Sequence, residues 1–226
     1  MTGHYVIRYW QTSNVHILHC YRLERIYRVS EEVVRLGQYG RTLTWRRQSG
    51  AGPVFLNLIH DVDMLRYLVG EVEAVQALES NATRGNRVEE TAVALLKFAN
   101  GALGTMSVSD TIVAPWSWEQ TTGENPVYAH TDQACYYIGG THGSLTVPKL
   151  EAWTNPDKRS WWEQLRAERI YAAAEDPLRL QIRNFARVIR GTERPLVSGR
   201  EGLNTLKVIE AVKVSARDGQ QVRIEH

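Results

Sequence analysis

A histidine stands among carboxylates in the stretch Asn57-Leu-Ile-His60-Asp61-Val-Asp63. An imidazole titrates near neutrality, so His60 is the side chain here best suited to accept or donate a proton. The residues alone leave three roles open. His60 could be a general acid/base, a metal ligand together with Asp63, or part of a solvated helix start, where carboxylates interact favourably with the helix dipole. No third metal ligand is evident in the sequence, which disfavours the metal site.

A second candidate is the long polar and aromatic segment at residues 111–135. Trp118 presents a flat apolar face with a polar edge, which suits a sugar-like ligand, and Asp110 and Asn125 can bind hydroxyl groups. Loops of this length inside a domain are usually functional or disordered. The aromatic side chains could instead pack the loop onto the sheet or onto a partner chain, and both interpretations stay open.

Helices are predicted around these residues. The stretch that carries His60 has apolar residues at helical spacing, namely Leu58, Val62, Leu65 and Leu68. We expect this helix to run from about Asn57 to Val69 and to end at Gly70. Apolar spacing also predicts a helix over residues 22–36. Near the C-terminus, Asp176-Pro177 favours a helix start, and Ser198 with Glu201 forms a capping box for a last helix.

Short strands are predicted between the helices. The strand-like segments are Val72–Leu78, Glu90–Phe98, Leu103–Ser109, Ala134–Ile138, Ser144–Val147 and Val222–Ile224. Asn100-Gly101 is a hairpin signal, because this dipeptide favours positive φ. Residues 1–50 show no clean strand period, and residues 153–174 are expected to form a mobile segment. The order predicts an α+β fold: an open, mainly antiparallel sheet with helices packed on one face.

Composition excludes several classes of function. The chain has 226 residues, 43% of them hydrophobic, and a formal net charge of +2. Its lysines and arginines are spread along the chain, whereas nucleic-acid binding needs a clustered basic face. No apolar run approaches the length that spans a membrane. Two cysteines far apart in sequence form no disulfide framework, so we expect a cytoplasmic protein.

Several motifs, taken in order, resemble the C-terminal domain of the glucose–fructose oxidoreductase / inositol dehydrogenase / MocA family. The resemblance covers about residues 45–226. It is carried by Gly52 before His60-Asp-x-Asp63, by Asn100-Gly101, by Tyr137-Ile-Gly-Gly-Thr-His-Gly143, and by Arg187-Val-Ile-Arg-Gly191 with the Pro195–Gly202 segment. It implies NAD- or NADP-dependent chemistry on sugars, polyols or related hydroxy compounds. It also implies a nicotinamide bound by a separate Rossmann domain, and a homo-oligomer formed through the sheet face.

The resemblance assigns roles to single residues. His60 would be the catalytic acid/base, and Asn57, Asp110, Trp118 and Asn125 would position a polyhydroxy substrate. The family's usual carboxylate partner of this histidine falls on Leu56, which cannot accept a proton.

Neither a Gly-x-Gly-x-x-Gly turn nor a Glu-Lys-Pro motif occurs in the sequence. We therefore expect a linker-like segment at residues 1–50 and a substrate-binding and oligomerisation domain at residues 51–226. Such a chain would be inactive without a cofactor domain. The alternative is a non-catalytic oligomerisation or ligand-binding module.

Overall fold

A computed structural model describes residues 15–23, 48, 50–172 and 175–225, with the backbone alone for residues 15–23. The helix predicted at residues 22–36 lies almost wholly outside the described residues. The part of the chain that the structure describes contains a nine-stranded sheet, which forms the frame of the domain. In chain order its strands are β1 (Val15–Leu23), β2 (Val72–Ser80), β3 (Thr91–Phe98), β4 (Leu103–Ser109), β5 (Tyr136–Gly140), β6 (Gly143–Val147), β7 (Glu151–Thr154), β8 (Arg166–Arg169) and β9 (Val222–Arg223).

Across the sheet the strands follow the order β8-β7-β6-β5-β1-β4-β3-β2-β9. Neighbours are antiparallel except β1 and β4, which run parallel. In β3 the side chains alternate between a buried face, with Leu96 and Phe98, and an exposed face, with Val93 and Leu95. This alternation follows from the two-residue period of a strand and gives the sheet one core face and one outer face.

Within the described residues, four helices accompany the sheet: α1 (Ile59–Val69), α2 (Trp118–Thr122), α3 (Pro177–Ile189) and α4 (Gly199–Asp218). A π-helical segment at Val54–Leu58 leads directly into α1. Side chains of α1 and α4 are buried in one core with the inner face of the sheet, among them Val62, Leu65, Val208, Val212, Val75 and Phe98. The α+β fold with an open, mainly antiparallel sheet is therefore confirmed.

The predicted caps and the predicted hairpin are confirmed as well. Asp176 accepts hydrogen bonds from the backbone N–H groups of residues 178 and 179 at 3.0 and 3.3 Å. Ser198 Oγ accepts from Glu201 N at 3.2 Å, while the Glu201 carboxylate binds Arg66 at 2.8 Å, so the Ser198 half of the predicted capping box forms. Asn100-Gly101 joins β3 to β4 with Gly101 at φ 88°. The Asn100 amide also donates to Val69 O at 2.8 Å and so fastens the hairpin to the end of α1.

Two parts of the sheet differ from the sequence prediction. Residues 153–174, expected to be mobile, contain the end of β7 and all of β8, which pair with each other and extend the sheet. Every residue of β8 is exposed, so its sequence lacks the apolar alternation that marks a half-buried strand. Residues 15–23, which show no clean period, form β1 between β4 and β5. The division of the chain at residue 50 remains a prediction.

Candidate functional site

The helical segment that carries His60 begins at a close contact between Gly52 and Glu89. A Cβ atom at Gly52 would lie 2.0 Å from Glu89 Oε1 and 2.3 Å from its Cδ, far inside van der Waals distance. The same Oε1 accepts a hydrogen bond from Val54 N at 3.0 Å. A buried carboxylate thus satisfies a free N–H at the start of the helical segment, and only glycine leaves room for it.

Lys213 of α4 holds this carboxylate in place. Its Nζ lies 2.6 Å from Glu89 Oε2 and 2.8 Å from Glu79 Oε2. Burial raises the pKa of Glu79, and the hydrogen bond from Lys213 only partly offsets that shift. Burial opposes the charge on Lys213, but the hydrogen bonds to Glu79 and Glu89 outweigh it, so the pKa of Lys213 is raised. The start of the helical segment is therefore linked to both β2 and α4 through Glu89, Lys213 and Glu79.

The π-helical segment lies between this cluster and His60. Residues Val54–Leu58 form π turns, and regular α-helix begins at Ile59. A π turn holds one residue more than an α turn and so changes which side chains share a face; such turns occur frequently at functional sites. Asn57 is half-buried within it, and His60 is exposed just beyond it. The sequence gives no signal for this turn, since its apolar residues fit an ordinary helix.

Asp61, next to His60, has a structural partner. Its side chain is buried, and its Oδ1 accepts a hydrogen bond from the hydroxyl of Tyr136 in β5. The Tyr136 ring in turn packs against Trp118, with centroids 5.7 Å apart and planes at 48°. The first turn of α1, the central sheet and the aromatic loop are therefore joined beside His60.

The Asp63 carboxylate also has structural partners, Thr205 and Arg66. Its Oδ1 accepts a hydrogen bond from Thr205 Oγ1 at 2.8 Å and lies 3.8 Å from Arg66 Nη1. Within the described residues, no three His, Cys, Asp or Glu side chains group as metal ligands. The carboxylates around His60 thus fix the helix that presents it.

Arg66 links α1 to α4 through several hydrogen bonds, and sequence reasoning missed it. The side chain is 3% exposed, with Nε and Nη2 bonded to the Glu71 carboxylate at 2.8 and 2.6 Å. Nη2 also reaches Glu201 Oε2 at 2.8 Å, and Nη1 reaches Thr205 Oγ1 at 2.8 Å. The hydrogen bond to Glu71 is the main cause that raises the pKa of Arg66, against the opposing effect of burial.

The predicted substrate residues of the aromatic segment lie in different surroundings. Both carboxylate oxygens of Asp110 accept from Arg84 at 2.9 Å. Burial raises the pKa of Asp110, although Arg84 opposes the shift. Asn125 Oδ1 accepts from Val127 N at 3.0 Å in an exposed turn. Trp118 Nε1 donates to Glu124 at 3.3 Å. Through Tyr136 and Asp61, the structure connects Trp118 to the helix of His60.

The chain matches the model of the family described as "Oxidoreductase family, C-terminal alpha/beta domain" (Gfo/Idh/MocA) over residues 22–224. The match extends over most of the 226 residues, so the chain belongs to this oxidoreductase family. The resemblance seen in the motifs is confirmed.

Two curated relatives are dehydrogenases of a polyol and a sugar. Myo-inositol 2-dehydrogenase of Thermotoga maritima is 25% identical in a match 229 positions long, and this match covers 90% of this chain and 62% of the relative. D-apiose dehydrogenase of Paraburkholderia graminis is 25% identical over 175 residues, which cover 74% of this chain and 43% of the relative. The chain thus spans about half the length of these curated relatives.

The fold is shared with solved structures of the family. The WlbA dehydrogenase of Chromobacterium violaceum, solved in complex with NADH and UDP-GlcNAcA, is 24% identical and superposes with a TM-score of 0.67. The match covers 99% of this chain and 59% of that structure. At this identity the likeness establishes the fold of the domain.

Proposed function

We propose that this chain is the substrate-binding and catalytic C-terminal part of an NAD- or NADP-dependent oxidoreductase that acts on sugars, polyols or related hydroxy compounds. The observation that carries the proposal is the position of His60. Its side chain is exposed in the first turn of α1. The Glu89 carboxylate fixes the chain before this turn through Val54 N, and the bond between Asp61 and Tyr136 fixes the residue next to His60. A proton-transfer group on a rigid element is what oxidation of a hydroxyl group requires.

The chemistry proposed for His60 is a single proton transfer. When a secondary alcohol is oxidised, its hydroxyl proton must leave, and a neutral imidazole nitrogen can accept it; in the reverse direction the imidazolium returns it. Asp61 and Asp63 are bonded to Tyr136 and Thr205, and residue 56 is a leucine. We therefore infer that His60 passes its proton to water.

The glycine-rich stretch among the described residues is not arranged like the usual dinucleotide turn. The pyrophosphate of a dinucleotide is usually held by a glycine-rich turn between a strand and a helix N-terminus. Here the glycine-rich stretch at residues 139–143 joins β5 and β6 in a hairpin instead. We propose that NAD or NADP, which supplies the hydride chemistry, is bound by another domain and that the isolated chain is inactive. Calorimetric titration should show no micromolar binding of either dinucleotide, and such binding would contradict this proposal.

Substrate contacts are proposed for Asn57, Trp118, Asp110 and Asn125. Trp118 has the best structural support, because its ring packs on the Tyr136 side chain that binds Asp61. Asp110 can still accept a substrate hydroxyl, because each carboxylate oxygen has a second lone pair beside the one used by Arg84. Asn125 uses Oδ1 in its turn, which leaves its NH₂ group as the proposed donor.

The direct test combines the chain with a dinucleotide-binding domain from the family and measures NAD(P)H formation with a panel of polyols and sugars. His60→Ala should abolish turnover. His142→Ala is the matched control, because His142 is also exposed and lies in the β5–β6 turn. Turnover that survives His60→Ala unchanged would show that another group carries the proton.

A second role, which also supports the non-catalytic alternative, is self-association through the outer sheet face. Leu78, Val93, Leu95 and Leu103 are 44–67% exposed there, and a cavity of about 350 Å³ opens between Leu95, Leu103 and Gln221. Contiguous exposed apolar surface of this kind marks interaction sites. We propose a homo-oligomer. Light scattering should show that Leu95→Glu lowers the molar mass, and an unchanged mass would exclude this face.

The compartment remains a proposal. Cys135 is a buried cysteine, as expected of a chain kept in a reducing cytoplasm. In the part of the chain that the structure describes, no helix is long and apolar enough to cross a bilayer.

A further inference from the structure

One row of residues across the sheet carries different chemistry at its two ends. The row consists of residues that pair side by side on neighbouring strands. From one edge of the sheet to the other it contains Ala167, Trp153, Ser144, Gly139, Ile17, Leu103, Lys97, Ala74 and Arg223. Ile17 in β1 is its middle member. Trp153 in β7 and Ala74 in β2 each lie three strands from that middle, on opposite sides.

The cavity of about 350 Å³ on the outer sheet face opens at the Ala74 end of this row. Its lining combines apolar side chains with two amides and one ammonium group: Ala74, Gln76, Leu95, Lys97, Leu103 and Gln221 are among its residues. The Lys97 ammonium group is held there by Glu73 at 3.2 Å. A lining of this kind suits an indole ring, because the ring face attracts a cation and the ring N–H donates to an amide oxygen.

Trp153, at the other end of the row, carries such a ring. Its neighbour Ala152 is buried in the core, so the two-residue period of a strand places Trp153 on the outer face, where it is 37% exposed. Six strand spacings separate β7 from β2, which is about 29 Å at about 4.8 Å each. Trp153 therefore cannot reach the cavity of its own chain.

A two-fold axis parallel to the strands brings the two ends together in a dimer. When two outer faces meet about such an axis near β1, β7 of each copy lies over β2 of the other and the row stays aligned. Both ends lie about 14 Å from β1, so the same contact forms twice. An axis across the strands would instead place β2 over β2 and leave each cavity facing another cavity.

The outer face is large enough for a stable dimer. Eight strand spacings of about 4.8 Å and strands of about 17 Å give about 650 Å² for each copy. The total of about 1,300 Å² reaches the size of specific interfaces, about 1,200–2,000 Å². We propose that two copies of this chain pack through their outer faces about a two-fold axis parallel to the strands, with Trp153 of each copy in the cavity of the other. This inference rests on the self-association proposed above and adds the axis and the side chain that fixes it.

The mass of the full chain, measured by light scattering over a range of concentrations, tests the contribution of Trp153. Trp153→Ala should raise the Kd of the dimer about 100-fold or more, because burying one large aromatic side chain is worth about 10- to 100-fold and the contact occurs twice. Trp116→Ala is the matched control. Trp116 is also 37% exposed but lies in the segment after β4, outside the sheet, so this variant should leave Kd unchanged. Circular dichroism should show that both variants keep the fold.

Cross-linking tests the direction of the axis while Trp153 stays in place. Ser144 and Lys97 lie in the same row, two strands from β1 on opposite sides, so the proposed axis stacks Ser144 of one copy over Lys97 of the other. Packed sheets lie about 10 Å apart, and a thiol cross-linker of about that length spans the gap. Ser144→Cys chains mixed with Lys97→Cys chains should cross-link to each other. Ser144→Cys chains alone should not, because their thiols would lie about 19 Å apart.

The unchanged chain is the control for cross-linking, because it measures the background from Cys20 and Cys135. Three results would overturn the proposal. The first is a chain that stays monomeric at about 100 μM, a concentration at which even weak dimers form. The second is an unchanged Kd in Trp153→Ala. The third is cross-linking of Ser144→Cys chains to themselves, which the axis across the strands predicts.

The proposed contact, the outer-face interface and the proposed chemistry fail in different ways. If Leu95→Glu lowers the mass but Trp153→Ala leaves Kd unchanged, the outer face is the interface and the cavity contact is wrong. If neither variant changes the mass of an oligomer, the outer face is not the interface. His60→Ala should leave the dimer intact, so the outcome for turnover is independent of both.

Discussion

Gly52→Ala tests whether the contact with Glu89 positions the helix of His60. The new Cβ would overlap all three atoms of the Glu89 carboxyl group, at 2.0 to 2.5 Å. That side chain is 3% exposed, so it has no route into water. It must give up its bond to Val54 N, its 2.6 Å contact with Lys213, or both.

The structure sets the size of the effect. Breaking a buried ion pair costs about 3–5 kcal/mol, and losing the bond that caps a helix start costs about 0.5–2 kcal/mol. Because the carboxylate can keep part of either contact, we expect a loss of about 3–5 kcal/mol. That is a large share of the roughly 5–15 kcal/mol that stabilises a typical domain.

Urea unfolding followed by circular dichroism measures this loss, with two controls. Gly202→Ala makes the same chemical change in α4, where a Cβ meets nothing within 4 Å, and should stabilise the chain by about 0.5–1 kcal/mol. In a Glu89→Ala background, where Lys213 keeps Glu79 as its partner, Gly52→Ala should cost less than about 1 kcal/mol, because coupled sites are not additive. An equal cost in both backgrounds would refute the proposed contact.

Three further predictions concern the same framework. Tyr136→Phe removes the hydrogen-bond donor to buried Asp61 and should lower the free energy of unfolding in urea by about 1.5–3 kcal/mol. The same substitution should cost less in an Asp61→Asn background, and equal costs in both backgrounds would mean that the pair does not interact. Arg66→Met removes the bidentate partner of Glu71. Because the Glu71 carboxylate is 39% exposed and can be hydrated, we expect a loss of about 1.5–3 kcal/mol, and a loss below about 0.5 kcal/mol would contradict the clamp. The folded-state pKa of Glu79 is raised, so its contribution to stability is present below its ordinary pKa and is lost as pH rises through the folded-state value. Across that window the stability of the unchanged chain should fall relative to Glu79→Gln, and a relative rise would show the opposite shift.

Helices α1, α3 and α4 and most strands could be predicted because their signals are local, whereas α2 lies in the segment expected to be a loop. Caps such as Asp176 and Ser198, and the turn at Asn100-Gly101, act within a few residues, and all three form as predicted. β8 could not be predicted, because an exposed edge strand shows no apolar alternation. Its place in the sheet depends on pairing with β7, which is a tertiary property.

The residue types around His60 could be taken from the sequence, but their hydrogen-bond partners could not. Because two carboxylates follow His60 closely in sequence, the sequence left three roles open: a general acid/base, a metal ligand or part of a helix start. The structure instead bonds Asp61 to a tyrosine 75 positions away and Asp63 to a threonine 142 positions away. Partners at such separations leave no local pattern. Arg66, on the same helix, illustrates the point, because Glu201, which it bonds at 2.8 Å, lies 135 positions away.

The π turn before α1 has a consequence for how this scaffold can change. A π turn equals an α-helix with one inserted residue, so deleting one position from residues 54–58 should restore an unbroken α-helix. In a regular α-helix one extra residue turns everything after it by about 100°, whereas the π turn absorbs that residue locally. Glu89 fixes the chain before the turn and Asp61 fixes α1 after it, so both sides keep their places after the deletion. The deletion therefore changes only which side chains fill the turn before His60 and leaves the core packing on either side unchanged.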